Sequence, residues 1–484
     1  DQKIVPRSVW GKFARSRWAM VWFTQLLYYG TAWLQYNGRQ ALLFDLEARR
    51  FFLGPLVFYP QDFIYLTGLL VIAALSLFLF TAVAGRVWCG YACPQTVYTE
   101  IFMWFERKIE GDRNDRLRRT AGRWTFDRAW RAIAKNAVWI LFAAWTGFTF
   151  VGYFTPIREL TEELITFTIA PWELFWIGFY SLATFGNAGF MREQVCKYMC
   201  PYARFQSAMF DKDTLLVTYD EARGEPRGSR SKKADPTNLG LGSCIDCNLC
   251  VQVCPTGIDI RKGLQYECIG CAACVDVCDQ VMDKMNYPRG LVRYSTQNGL
   301  KNNWDSAQML RRAFRPRVLV YTAVVWGLIA AMAAAIVARD DLRVDVLRDR
   351  SVSFRLAEDG LIENVYRLNL MNASEYTLEV QAGLLNAGDN MKVVEADRWV
   401  VKPTESRWVV LHVQADPDAV QSGSNEIIFH IESRRMFDGI AQQSTAEQVK
   451  EPVYKRASGF SKLAAFTDEL VQCLKADAHR VKQD

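Results

Sequence analysis

Histidine is nearly missing from this chain, with three in 484 residues, and the first of them is His412. Haem b in a membrane bundle hangs from histidines on the spanning helices, so haem is excluded there. Copper or zinc held by imidazole in the same region is excluded on the same ground. His412 and His430 fall in alternating, strand-like sequence and read as ordinary strand residues. Charge is missing locally. Although 23% of the residues are charged, none lies within Trp18–Tyr36, Phe63–Gly85, Asn136–Pro156, Leu174–Met191 or Val318–Ala338. Each stretch approaches the ~20 residues that cross a bilayer core, and Trp, Phe and Tyr gather near their ends. Buried helices of a soluble protein normally keep a polar stripe, and these do not. The expected membrane part is therefore a five-helix transmembrane bundle.

Lysine and arginine in the loops set the orientation, because cytoplasmic loops are enriched in them. Lys3, Arg7, Lys12, Arg15 and Arg17 precede the first span, and ten basic residues lie between Arg86 and Arg131. Between the third and fourth spans Arg158 stands against Glu159, Glu162 and Glu163. The amino terminus is thus expected in the cytoplasm, the chain in a bacterial inner membrane, and the C-terminal region in the periplasm. No small-residue cleavage site follows the first span, so it reads as a retained anchor. The apolar piece 51–60 contains Gly54, Pro55 and Pro60 and reads as interfacial.

Thirteen cysteines are present, and twelve form three groups on segments that this topology places at the cytoplasmic face, where structural disulfides are rare. Cys244, Cys247, Cys250 and Cys254 stand at x2, x2 and x3 spacing, and Cys268, Cys271, Cys274 and Cys278 repeat it. This is the bacterial two-cluster ferredoxin run. Three thiolates of a tight loop hold three corners of a [4Fe-4S] cubane, and the fourth comes from the other run. On that pattern Cys244, Cys247, Cys250 and Cys278 hold one cluster, and Cys268, Cys271, Cys274 and Cys254 hold the second. Paired zinc sites fit eight cysteines in this arrangement poorly. One departure is Asp279 after Cys278, where Pro255 follows Cys254; an acidic neighbour lowers a cluster's potential.

The remaining four make two CxxxCP motifs, Cys89 to Cys93 with Pro94 and Cys196 to Cys200 with Pro201. Each follows an even-numbered span, as in a repeated two-helix unit. If the motif is helical, both thiols project from one face, and each proline opens a new helix. Thiolates suit Cu(I), zinc or iron–sulfur units, and Met103, Met191, Met199 and Met209 add candidate thioethers. Copper is the sharpest reading of the four cysteines; plain buried thiols and a disulfide between the motifs are the alternatives. Cys473 is left without a role.

Between 211 and 242 the sequence is rich in Gly, Ser and charge and reads as a loop into the cluster domain. Beyond the fifth span, β-branched alternating runs at Val352–Leu356, Val365–Leu370, Tyr376–Leu384, Arg407–Gln414 and Glu426–Glu432 predict an immunoglobulin-like β-sandwich. The expected order is bundle 1–210 with both CxxxCP motifs, ferredoxin-like domain 211–317, fifth span 318–338, sandwich 339–437, and tail 438–484 with one helical pattern at Lys462–Lys475.

The chain strongly resembles the FixG-type cytochrome c oxidase accessory proteins. The likeness is carried from Pro6 to about Phe437 by Phe44-Asp45-Leu46, the stretch Pro60–Thr67, the stretch Trp88–Tyr98, the stretch Gly152–Arg158 and both ferredoxin runs. The resemblance implies reduction of Cu(II) to Cu(I) for assembly of a cbb-type haem–copper oxidase, with Cys89, Cys93, Cys196 and Cys200 as catalytic copper ligands. Implied partners are the oxidase subunits and copper chaperones or exporters, besides the membrane; no nucleic-acid partner is expected, and self-association is left open. Two other functions fit the same sequence, a quinol-linked electron-transfer subunit feeding a periplasmic reductase and a non-enzymatic assembly scaffold.

Overall fold

The computed structural model describes residues 4–232, 239–349, 355–357, 359–385, 391–394, 398–417, 427–437 and 440–450. The predicted helix at Lys462–Lys475 and Cys473 lie outside them. The chain divides into two units, Asp1–Phe51 with Pro60–Ile336, and Phe52–Tyr59 with Val337–Asp484.

Among the described residues of the first unit, three helices are long and apolar enough to cross a membrane: Pro60–Ala84, Phe126–Val151 and Pro316–Val337. Little of Pro60–Ala84 is buried, and Ile64, Leu70 and Phe80 are more than half exposed. A helix apolar all round and uncovered by protein requires an apolar solvent. The first predicted span is a helix displaced toward the amino terminus, Lys12–Thr31. Its start is fixed by a hydrogen-bonding partner, not by hydropathy. Asp276 accepts from the backbone N–H of Phe13 at 3.1 Å and of Ala14 at 2.7 Å, filling the role of an N-cap from a distant helix. Gly11 admits that carboxylate, since a β-carbon there would meet Asp276 Oδ1 at 2.4 Å.

The fourth predicted span is split. An α-helix covers Pro171–Thr184 and a π-helix continues over Phe185–Met191, followed by a second π-turn at Val195–Met199. Helices Phe126–Val151 and Pro171–Thr184 pack closely at Gly147, where a β-carbon would meet the Ile177 carbonyl at 2.6 Å; small residues are what permit such approach. The stretch read as a loop from 211 holds a strand, Leu216–Tyr219, paired antiparallel with Val292–Ser295. These two strands and the helix Ala273–Met285 enclose a core of Val217, Tyr219, Val275, Met282, Leu291 and Val292.

In the second unit, two antiparallel sheets face each other. One runs Met391–Val394, Ser406–Ala415, Ile362–Asn372, Leu342–Arg348, with Arg355–Leu356 also on Ile362–Asn372. The other runs Arg398–Val401, Thr377–Leu384, Ile428–Phe437, Ile440–Lys450. Leu368 and Leu411 of the first sheet share one core with Val380, Phe429 and Ile431 of the second, all fully buried. Of the predicted strand Val352–Leu356, only Arg355–Leu356 falls among the described residues, and it is a strand. Strand Ile440–Lys450 lies beyond the sequence-drawn boundary at 437. Its polar sequence reads as tail, yet it pairs along Ile428–Phe437. His412 Nδ1 lies 3.0 Å from Glu363 Oε1 on neighbouring strands. The apolar piece 51–60 is largely extended, with strands Arg50–Leu53 and Leu56–Phe58.

Candidate iron–sulfur and thiol sites

The two ferredoxin loops repeat the same backbone geometry. Asp246 and Asn248 flank Cys247 with φ of 53° and 55°, and Gly270 and Ala272 flank Cys271 with φ of 69° and 56°. Left-handed residues on both sides of the middle cysteine curl each loop around a centre, at a conformational cost for the three that are not glycine. Arg261 braces the first loop, donating to Asp246 Oδ1 at 2.5 Å and to Asn248 Oδ1 at 2.6 Å.

Each loop faces a hollow. The first is lined by Cys244, Cys247, Cys250 and Cys278 among mainly apolar side chains. The second is lined by Cys254, Cys268, Cys271 and Cys274, with Cys250 also in its wall. The last cysteine of each run thus faces the hollow of the other run. All eight thiols are free. Among the described residues no three His, Cys, Asp or Glu side chains close on a single ion; the sulfurs stand around a space instead, which fits a cubane better than zinc. Burial pushes the thiols up, Cys250 to about 11 and Cys268 and Cys278 to about 12, with Cys274 well above its ordinary value. Asp279 adds to the rise at Cys278. Such thiols become good ligands only when a metal displaces their protons.

The CxxxCP motifs are not continuous helices. Cys89 sits in the short helix Val87–Tyr91, while Cys93 is the N-cap of Pro94–Glu110, with Pro94 in its first turn. In the second motif Cys196 lies in the π-turn, Cys200 is extended, and Pro201 is the N-cap of Tyr202–Met209. The turn between the cysteines replaces the single helical face expected from the sequence. It nevertheless brings the motifs together: Cys89 feels the charges of Cys93 and Cys200, and Cys196 those of Cys93, Cys89 and Cys200. Burial is the main cause of the raised Cys89, Cys93 and Cys196 thiols, carrying Cys196 to about 12. Against it, the backbone N–H groups of Thr96 and Gln95 favour the Cys93 thiolate, as a helix N-terminus does. Of the four methionines, Met103 shares a cavity wall with Cys196, and Met199 is mostly exposed.

Sequence reasoning missed the residues that surround these thiols. The buried Arg86 has Nη2 4.0 Å from Cys89 Sγ and donates through Nη1 to the Tyr266 carbonyl. It also favours the thiolate of Cys268, so one guanidinium serves both the CxxxCP site and the second hollow. Cys89 Sγ lies 3.6 Å from Gln206 Oε1. A basic residue shortly before each motif, Arg86 and Arg192, was the available signal.

Residues 191–297 match the family described as "4Fe-4S dicluster domain", residues 66–111 the "4Fe-4S binding domain", and residues 332–449 the "IG-like fold at C-terminal of FixG". Two 4Fe-4S domains, an immunoglobulin-like domain and apolar helices define a membrane-associated iron–sulfur protein of the electron-transfer class. The nitrogen fixation protein FixG of Rhizobium meliloti is 41% identical over 77% of both chains. In Cereibacter sphaeroides, protein RdxB is 40% identical over 80% of this chain and 83% of its own, and protein RdxA 42% over 77% and 80%. The chain belongs to the FixG family.

Proposed function

We propose that the chain reduces Cu(II) to Cu(I) at Cys89, Cys93, Cys196 and Cys200 and hands the product on for assembly of a cbb-type oxidase. The observation that carries this reading is the convergence of four thiols from two motifs beside the hollow of Cys254, Cys268, Cys271 and Cys274. In the proposed assignment, that set holds one [4Fe-4S] cluster and Cys244, Cys247, Cys250 and Cys278 hold the other. When bound, the clusters supply single electrons, one for each Cu(II) reduced.

The protein's own groups do the rest. Soft thiolates favour Cu(I) over Cu(II), Arg86 offsets their charge, and the N–H groups of Gln95 and Thr96 hold the Cys93 sulfur. The cationic loops support an arrangement of five spans in a bacterial inner membrane, with the amino terminus and clusters cytoplasmic and the sandwich periplasmic. Oxidase subunits and copper chaperones or exporters are the partners this role calls for.

The test is the double variant Cys89→Ala with Cys196→Ala. Cu(I) binding should vanish while iron and acid-labile sulfide stay unchanged; full Cu(I) binding by the variant would overturn the proposal. A second reading, in which the four thiols share an iron–sulfur unit of their own, draws on the 4Fe-4S match over residues 66–111. It requires about twelve irons per chain where the copper reading requires about eight, and the double variant would then lose iron.

A further inference from the structure

The stretch 111–131 runs from the end of helix Pro94–Glu110 into the candidate span Phe126–Val151. It holds seven arginines against three aspartates, an excess of four positive charges. Two of the aspartates are engaged: Asp112 accepts from the Ser8 N–H at 3.0 Å and hydroxyl at 2.9 Å, and Asp127 accepts from Arg131 Nε at 2.9 Å. The arginines divide by direction. Arg116 of the short helix Arg113–Ala121 is buried on Glu106 at 2.6 Å, which turns the opposite face of that helix outward. Arg118 on that face, and Arg123 just past the helix end, are exposed, and neither side chain has an ion-pair or hydrogen-bond partner among the described residues.

The apolar side chains of the same stretch are exposed as well. Trp124 is 73% and Phe126 88% exposed, with Leu117 and Trp130 also uncovered. Arg128 fixes Trp124 there: its guanidinium lies 4.4 Å from the indole centre, and its Nη1 donates to the Gly122 carbonyl at 2.8 Å. Aromatic rings beside unpaired cations, at the first turn of a helix able to cross a membrane, match the boundary between headgroups and acyl chains. The far end of the span is different. There Arg158 stands against Glu159, Glu162 and Glu163, a negative excess that repels an anionic surface. An acidic protein would satisfy the arginines but leave Phe126 and Trp130, on the span itself, uncovered; an anionic lipid meets both groups at once.

We infer that residues 113–131 form a binding site for an anionic phospholipid, its phosphodiester on Arg118 and Arg123 and its upper acyl chains against Leu117, Trp124, Phe126 and Trp130. A helix of nine residues is too short to hold itself, so the bound lipid also steadies Arg113–Ala121. The site uses none of the cysteines, and it stands whether or not copper is the substrate.

The experiment uses the cluster-loaded full chain in neutral detergent, titrated with dioleoyl phosphatidylglycerol or dioleoyl phosphatidylcholine and read by native mass spectrometry. The wild type should bind the anionic lipid at least about tenfold more tightly than the zwitterionic one, and the anionic lipid should raise its thermal midpoint. Arg118→Gln with Arg123→Gln should remove that preference, and Arg118→Lys with Arg123→Lys should keep most of it. Iron content and the lipid-free thermal midpoint verify that both variants fold. Equal binding of the two lipids by the wild type would overturn the inference, as would an undiminished preference in the double Gln variant. Two competitors test the alternatives at concentrations equal to the lipid. Displacement by glycerophosphoglycerol, the headgroup without chains, would reduce the site to a phosphate patch; displacement by polyglutamate would make it a protein-docking surface. Either result would also overturn the inference.

Discussion

Gly90 rests on the backbone of Cys271: a β-carbon at Gly90 would lie 2.9 Å from the Cys271 nitrogen and 2.8 Å from the Ile269 carbonyl. Gly270 returns the contact, its β-position 3.3 Å from the Arg86 main chain. The residue after Cys89 therefore touches the loop of the second hollow with no side chain between. On the copper reading proposed above, the cluster assigned to Cys254, Cys268, Cys271 and Cys274 would be the last electron station before the thiols.

Gly90→Val should push the two loops apart, because backbone atoms on the far side cannot swing aside as a flexible side chain would. We expect unchanged iron content and a slower transfer from reduced clusters to Cu(II), by about tenfold or more. Stopped-flow bleaching of the cluster absorbance by Cu(II) measures it; an unaltered rate would remove the second cluster from the exit position.

Arg86 tunes both sites, since its guanidinium reaches Cys89 and favours the Cys268 thiolate. A nearby positive charge stabilises the more negative, reduced cluster and so raises its potential. Arg86→Gln should lower the midpoint of one cluster by tens of millivolts and leave the other unmoved. Redox titration followed by electron paramagnetic resonance resolves the two, and equal shifts in both would contradict the placement.

Much of this site was legible in the sequence because ligand chemistry is local. Cubane ligation fixes x2 and x3 spacings within a few residues, and the fourth ligand follows from the pattern of two runs. What was illegible depends on distant partners. The start of helix Lys12–Thr31 is set by Asp276, more than two hundred and fifty residues away. The strands Leu216–Tyr219 and Val292–Ser295 are four residues each and gain their stability only from pairing across the whole cluster domain. Strand Ile440–Lys450 lacks apolar alternation, so period carried no signal there. The split of the fourth span into an α-helix over Pro171–Thr184 and a π-helix over Phe185–Met191 left no signal in hydropathy, which weighs apolarity and not backbone geometry.

The cluster-free protein should lose stability in alkali. An ordinary thiol ionises near 9.0, whereas burial holds the protons of Cys250 to about 11 and of Cys268 and Cys278 to about 12. Between these values the unfolded chain binds fewer protons than the folded one, so stability is full below pH 9 and falls as pH rises toward 12. Thermal midpoints of the cluster-free chain should drop above pH 9, and those of the loaded chain should not, because ligation has already removed the protons. A flat profile for the cluster-free chain would refute the argument.

Glu106 is wholly buried, and its carboxylate meets Arg116 Nη2 at 2.6 Å and Arg192 Nη2 at 2.9 Å. Lys135 stands 3.9 Å away and also over the Trp139 ring, which Arg192 shares. Removing the acid leaves the Arg192 guanidinium buried without its counter-charge, while Arg116 keeps only Glu110, 3.4 Å from its Nε; breaking a buried pair by removing one partner costs about 3–5 kcal/mol. Glu106→Leu should therefore lower the unfolding midpoint. It should also loosen the turn at Arg192, four residues ahead of Cys196, and so weaken Cu(I) binding. Glu106→Gln, which keeps an acceptor oxygen for one arginine, should recover part of both. Iron content should be the same in all three proteins, because Glu106 lines neither ferredoxin hollow. Loss of iron in step with loss of copper would mean that the acid supports the whole first unit and not the thiol site in particular.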